Sequence, residues 1–168
     1  MSKKYELTKE KKTLAGGTVL HRIRALRDIP RFGVKAGDLG GFVEAEDNLS
    51  QDGDAWVSGD AKVYGNAKVS DYALVYGNAW VSVNAKVSGD AEVSANSDYM
   101  VIKNIWSSGR WFTYTSSNKK WAVGCFYGTG EELVAKAYKD SKLSGKCYEA
   151  IVRAVETIEA AKAEAKAR

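Results

Sequence analysis

The sequence predicts a mainly β fold built as a parallel β-helix, and three observations carry the prediction. Alanine recurs every six residues, at Ala55, Ala61, Ala67, Ala73, Ala79, Ala85 and Ala91. Valine keeps the same spacing, at Val57, Val63, Val69, Val75, Val81, Val87 and Val93. Each Val is followed by Ser or Tyr, then usually Gly, then Asn or Asp, as in Val63-Tyr64-Gly65-Asn66-Ala67-Lys68. A helix repeats every 3.6 residues and a strand every two, so neither explains a period of six. A hexapeptide repeat does mark a parallel β-helix.

Within each unit, Ala and Val point inward and the residues between them outward, which supplies one short strand of period two. Gly followed by Asn or Asp turns the corner, because these residues tolerate left-handed backbone and bond their own main chain. The spacing resembles that of the hexapeptide-repeat proteins, whose left-handed β-helix makes one triangular coil from three units, or eighteen residues. On that resemblance Val57, Val75 and Val93 stack on one side, Val63 and Val81 on the second, and Val69 and Val87 on the third. The expected fold class is thus a single-stranded left-handed β-helix with a β cap and two C-terminal α-helices. It is divided into an N-terminal β element at 1–35, the solenoid at 36–98, and cap plus helices at 99–168, forming one compact unit.

A chain of 168 residues buries roughly two-thirds of the surface its unfolded form exposes. Charge is uneven along it. Residues 1–35 carry ten basic and three acidic side chains, residues 36–99 three and eleven, and residues 100–168 twelve and seven. An acidic solenoid between basic flanks is a surface that pairs with its own flanks or with a charged partner. Cys125 and Cys147 lack ligand spacing and read as buried or half-buried free thiols of a reducing compartment. The start of the chain has no apolar signal core and no run approaches a membrane span, so the expected location is the cytoplasm of a bacterial host cell, with no membrane partner.

In chain order, Gly16-Gly17 is a turn, and Val19–Leu26 alternates as a strand with Val19, His21, Ile23 and Ala25 on one face. Pro30 ends this element. Extending the six-residue frame backward puts Leu39 and Ala45 at the Val position and Val43 and Leu49 at the Ala position; forward, Tyr99 and Ile105 fall in frame. Residues 99–102, 110–115 and 121–123 read as strands of an aromatic meander that covers the open end of the repeats. Thr129 followed by Glu132 is a capping box opening a helix to about Lys139. A second helix runs from about Gly145 to Ala163 with Cys147, Ile151, Val155 and Ile158 as its apolar stripe, and the Ala, Lys and Glu tail from Ala160 frays.

The segment Lys35-Ala36-Gly37-Asp38-Leu39-Gly40-Gly41-Phe42, with Glu46, Asn48-Leu49-Ser50 and Trp56-Val57 after it, resembles a family of phage and prophage hexapeptide-repeat proteins labelled polymer-forming or transferase. Leu20–Leu26 and Gly124–Thr129 are similar to segments of the same family. The resemblance implies a viral protein that meets a host protein or a component of host defence, as an anti-defence factor would.

Candidate chemistry is sparse. Hexapeptide-repeat acyltransferases use a His base between subunits, but the repeats hold no His, and His21 lies upstream on an apolar strand face. Asp52, Asp54, Asp60 and Asp90 read as turn residues rather than calcium ligands. No catalytic residue, metal site or cofactor is assigned. Arg22, Arg24, Arg27, Arg31 and Lys35 could make a basic patch but carry no nucleic-acid reading motif, so nucleic acid is not an expected partner. The informative residues point outward. Trp56 stacks with Leu74, Ser58 with Tyr76, Lys62 with Trp80 and Tyr64 with Ser82. Outward aromatic and apolar side chains need a cover, supplied by the C-terminal helix, a second copy or a foreign partner. The expected function is non-enzymatic binding and assembly as a homo-oligomer, trimer or dimer, through Trp56, Tyr64, Leu74, Tyr76 and Trp80. The alternatives are sequestration of a small anionic, nucleotide-like signal between subunits by Arg22, Arg24 or Arg110, and acyl transfer.

Overall fold

A computed structural model describes residues 3–167. Two strands, β1 (Tyr5–Thr13) and β2 (Val19–Ala25), form an antiparallel hairpin, and β2 pairs in turn with β3 (Leu39–Val43). Seven two-residue strands follow, β4 (Trp56–Val57), β5 (Lys62–Val63), β6 (Lys68–Val69), β7 (Leu74–Val75), β8 (Trp80–Val81), β9 (Lys86–Val87) and β10 (Glu92–Val93). They pair in parallel at eighteen-residue offsets. Val57 stands opposite Val75 and Val75 opposite Val93 in a first ladder; Val63 faces Val81 in a second and Val69 faces Val87 in a third. The repeated Ala and Val side chains are buried to 1% exposure or less and form one continuous core.

The expectation of a mainly β chain built as a single-stranded left-handed β-helix is corrected. The strands fall into four small sheets, one of which mixes antiparallel and parallel pairs. Two helices, α1 (Gly130–Asp140) and α2 (Lys142–Lys166), make the fold a mixed α and β one. The six-residue period speaks only for the segment that carries it. The hairpin before it and the meander after it have their own alternation and build their own antiparallel pairs.

The backward frame is also corrected. Val43 pairs with Val63 and Leu49 bridges to Val69, each twenty residues on rather than eighteen. Val43 and Leu49 therefore occupy the Val position, and the segment from Leu49 to Val57 is two residues longer than a repeat. Gly40 and Gly41 sit where β3 crosses the start of the ladders. A Cβ on Gly40 would lie 2.6 Å from both the Ile23 side chain and the Val57 carbonyl, and one on Gly41 would lie 2.7 Å from the Ala61 carbonyl.

Beyond β10, β11 (Tyr99–Lys103), β12 (Trp111–Thr115), β13 (Lys120–Val123) and β14 (Phe126–Gly128) form an antiparallel sheet. The helices pack on it through Leu133, Val152 and Val155, against Phe112, Tyr114, Trp121 and Val123. Thr129 caps α1 with the reciprocal capping box. Ile105, placed in the repeat frame by sequence, is 89% exposed, because the chain has already turned into the cap sheet. Ile158 is exposed as well, and Val152 takes its place in the buried stripe. The tail does not fray at Ala160. Helix α2 runs to Lys166, and the Lys162 ammonium ties it to the Ser97 carbonyl at 2.9 Å. No helix among the described residues is long and apolar enough to cross a membrane.

Candidate interaction face

Phe42, Lys62 and Trp80 are cross-strand partners in consecutive turns of the second ladder and stand in one row. The Lys62 ammonium lies 4.9 Å from the centroid of the Trp80 ring, and the Tyr64 ring meets Trp80 edge-on at 6.3 Å. Phe42 is fully buried, with Lys12 4.1 Å and Arg22 5.2 Å from its centroid. Trp80 is 40% exposed. Its main chain is fixed on both sides, its N–H donating to Asn96 Oδ1 at 2.8 Å and its carbonyl accepting from the Tyr99 hydroxyl at 2.8 Å. The ring is therefore displayed on a rigid strand, with an aromatic neighbour and a cation beside it.

One corner past Trp80, Val83 adopts φ +64° and is 53% exposed. Gly65 holds the equivalent corner of the preceding turn at φ +66°. A β-branched residue in the left-handed region costs about 1–3 kcal/mol relative to glycine. Sequence reading passed over Val83, although Ser82-Val83-Asn84 lacks the glycine that most corners have.

The other sequence-assigned contact residues separate. Trp56 is 1% exposed, with the Tyr5 ring edge-on at 6.5 Å. Its assignment to an interface is corrected, because the N-terminal hairpin covers the first turn of this ladder. Truncating Trp56 to Ala would open a core cavity costing about 3–5 kcal/mol rather than probe a surface. Leu74 is half-buried, and Tyr76, 36% exposed, lines an open cleft with Lys162 and Lys166 of α2. The end of that helix thus shields part of the first-ladder face.

The three arginines assigned to an anion do not form a site. Arg22 donates to the Gly40 carbonyl and pairs with Glu10 at 3.1 Å, and Arg24 pairs with Glu6. Arg110 is exposed on the cap, beside Gly124 and Tyr148. Two of the three are already neutralised by carboxylates of β1. Other assignments resolve as structure. His21 is half-buried with Nδ1 3.4 Å from the Thr8 carbonyl, Asp60 pairs with Lys12 at 2.6 Å, and Asp54 lies 3.4 Å from Arg27. The Lys12 contact holds the Asp60 carboxyl below its ordinary range. Cys147 is half-buried, whereas Cys125 is exposed, contrary to its sequence reading, because it sits in the turn joining β13 to β14. Among the described residues no three His, Cys, Asp or Glu side chains gather around a possible metal. No protein-family model matches the chain, and no curated protein matches it.

Proposed function

We propose that the protein is a non-enzymatic binding and assembly module of the bacterial cytoplasm that self-associates through the second-ladder face. The observation that carries this reading is the rigid, exposed group of Trp80, Tyr64 and strained Val83. Aromatic anchors held in place before contact lose little entropy on binding and dominate interface energetics. The phage-type resemblance extends the proposal to a host protein, or a component of host defence, as the second partner of this face.

Native mass spectrometry and light scattering on purified protein test the proposal. The wild type is expected as a dimer or trimer. Trp80→Asp is expected to be monomeric with an unchanged circular dichroism spectrum, and Val83→Gly to associate at least tenfold more weakly while melting no lower than the wild type. A monomeric wild type, or a Trp80→Asp protein of unchanged mass, would sink the self-association reading. Pull-down from host lysate with wild type against Trp80→Asp then checks the foreign partner.

A further inference from the structure

Helix α2 is apolar along two faces. One, with Val152 and Val155 buried and Tyr148 and Ile151 partly so, packs on the cap sheet. The other looks away from the protein. Leu143, 61% exposed, Cys147, half-buried, and Ala150, exposed, recur eleven residues on as Ala154, Ile158 and Ala161, all exposed, and Ala165 begins a third round. Eleven residues make three turns at about 3.67 residues each, close to the 3.6 of the helix itself, so the stripe runs nearly straight along α2. The first face already anchors the helix, and positions on the solvent side are ordinarily polar.

The stripe is symmetric about its midpoint. Outward from Ala154, its members fall four, seven and eleven residues away in both directions. A two-fold axis at Ala154, perpendicular to α2, therefore lays stripe on stripe when a second copy approaches antiparallel. The sizes fit as well as the positions. Leu143 falls opposite the partner's Ala165, Ile158 opposite the partner's Ala150, and Cys147 opposite the partner's Ala161, so no two large side chains collide and the helices can pack closely. The charges fit independently. Glu164 lies eighteen residues, or five helical turns, beyond Lys146 and so on the same side of the stripe. Lys142, Lys146 and Glu164 are all exposed. The axis keeps each flank on its own side and brings the partner's Glu164 level with Ser144, between Lys142 and Lys146. Arg153, near the axis, carries its own counter-ion in Glu149. A parallel pairing would instead set Lys146 beside Lys146 and Glu164 beside Glu164.

We propose that the solvent face of α2 is a second self-association surface, an antiparallel two-fold contact with another copy of this chain. It is separate from the second-ladder face and does not rest on it. One pair of helix faces buries less than about 1,200 Å², the lower bound of stable interfaces, so the contact forms only above about 0.1 mM. At the micromolar concentrations that test the second-ladder face, Trp80→Asp stays monomeric.

Disulfide trapping with diamide, at protein concentrations above about 0.1 mM, tests this contact. The parent chain carries Trp80→Asp, Cys125→Ser and Cys147→Ser, which removes the second-ladder face and the native thiols, so the result is the same whether or not that face associates. Ala154→Cys, on the axis, should form a covalent dimer. Ala161→Cys should not, because the antiparallel axis sets the two equivalent positions fourteen residues, or about 21 Å, apart; with Cys147 restored it should. Ile158→Glu, at an exposed position, should cut the Ala154→Cys dimer at least tenfold with an unchanged circular dichroism spectrum. Glu164→Lys should cut it about threefold, recovered by Lys146→Glu. No dimer from Ala154→Cys, as much dimer from Ala161→Cys alone, or a dimer that survives Ile158→Glu would each overturn the proposal.

Discussion

Lys4 shows how much one side chain does at the beginning of the ladders. It is fully buried, and its ammonium donates to the Ala55 carbonyl at 2.8 Å and approaches the Asp52 carbonyl at 3.5 Å. Burial lowers its pKa to about 8, with Arg27 acting the same way and Asp54 and Asp52 opposing. Below pH 8 the folded state holds a charge it solvates poorly. Between pH 8 and the ordinary lysine value of 10.5 the unfolded chain binds this proton and the folded chain releases it, so stability from this group rises with pH. Lys4→Met keeps the aliphatic stem and removes both the charge and the donor, two effects that oppose each other at neutral pH. The diagnostic is therefore the pH dependence. In urea denaturation, the stability of wild type relative to Lys4→Met should increase steadily from pH 7.5 to 10. A gap that is constant over that range would show that Lys4 titrates in the native state as it does in water.

At the scale of elements, β3 is the joint between hairpin and ladders, and its two glycines are set by space rather than by turn geometry. Gly40→Ala forces a methyl against the Val57 carbonyl and the rings and chains of Trp56 and Ile23, which should cost about 1–3 kcal/mol. Gly16→Ala, with nothing within 4 Å of its added carbon, should change little. Thermal melts of the two variants check the contrast, and equal melting temperatures would refute it. The period and the caps of the elements were legible in the sequence: the eighteen-residue register, the hairpin turn, three cap strands and the Thr129 capping box. What escaped was set by packing at a distance. Gly145 reads as a helix start, yet α2 begins at Lys142 with Ser141 as its cap, and Gly145 lies within α2 because a Cβ there would strike Tyr138 at 2.2 Å. The two extra residues before Trp56 moved Val43 and Leu49 to the other position of the repeat. Leu20 is buried and Val19 exposed, against simple alternation.

For the whole molecule, the direction of the main-chain hydrogen bonds decides what each end must supply. The ladder N–H groups alternate in direction: those of Ser58 and Tyr76 donate forward to the Val75 and Val93 carbonyls, whereas the parallel register sends the Val75 N–H back to Trp56. Both ends therefore present N–H and C=O groups, and the segments beside them supply donors and acceptors. The N-terminal hairpin brings donors, the Lys4 ammonium and the Tyr5 hydroxyl, the latter 2.8 Å from the Leu49 carbonyl and 2.9 Å from that of Glu46. The segment after β10 brings donors, the Tyr99 and Tyr127 hydroxyls on the Trp80 and Ser88 carbonyls, and acceptors as well. Asn96 Oδ1 takes the Trp80 N–H, the Thr113 hydroxyl takes that of Lys86, and the Ser117 hydroxyl takes that of Glu92, all at 2.8 to 2.9 Å. These end partners were not legible in the repeat pattern, since they lie outside the repeats. Trp56 was misread because the N-terminal hairpin, with Tyr5, covers it. Trp80 and Tyr64 could be read from the register, whereas the packing of α2 against Tyr114 and Trp121 could not. With these end groups partnered, association of the ladders is left to their sides. Thr113→Val with Ser117→Ala removes two acceptors from the last turn while keeping side-chain volume. Each unpaired N–H costs about 1–3 kcal/mol, and an open strand edge recruits a second one. The double variant should therefore melt lower and form species larger than the wild-type oligomer, seen by light scattering as mass that grows with concentration. The same mass as wild type at every concentration would mean that the bulk of the cap, rather than its hydrogen bonds, closes the end.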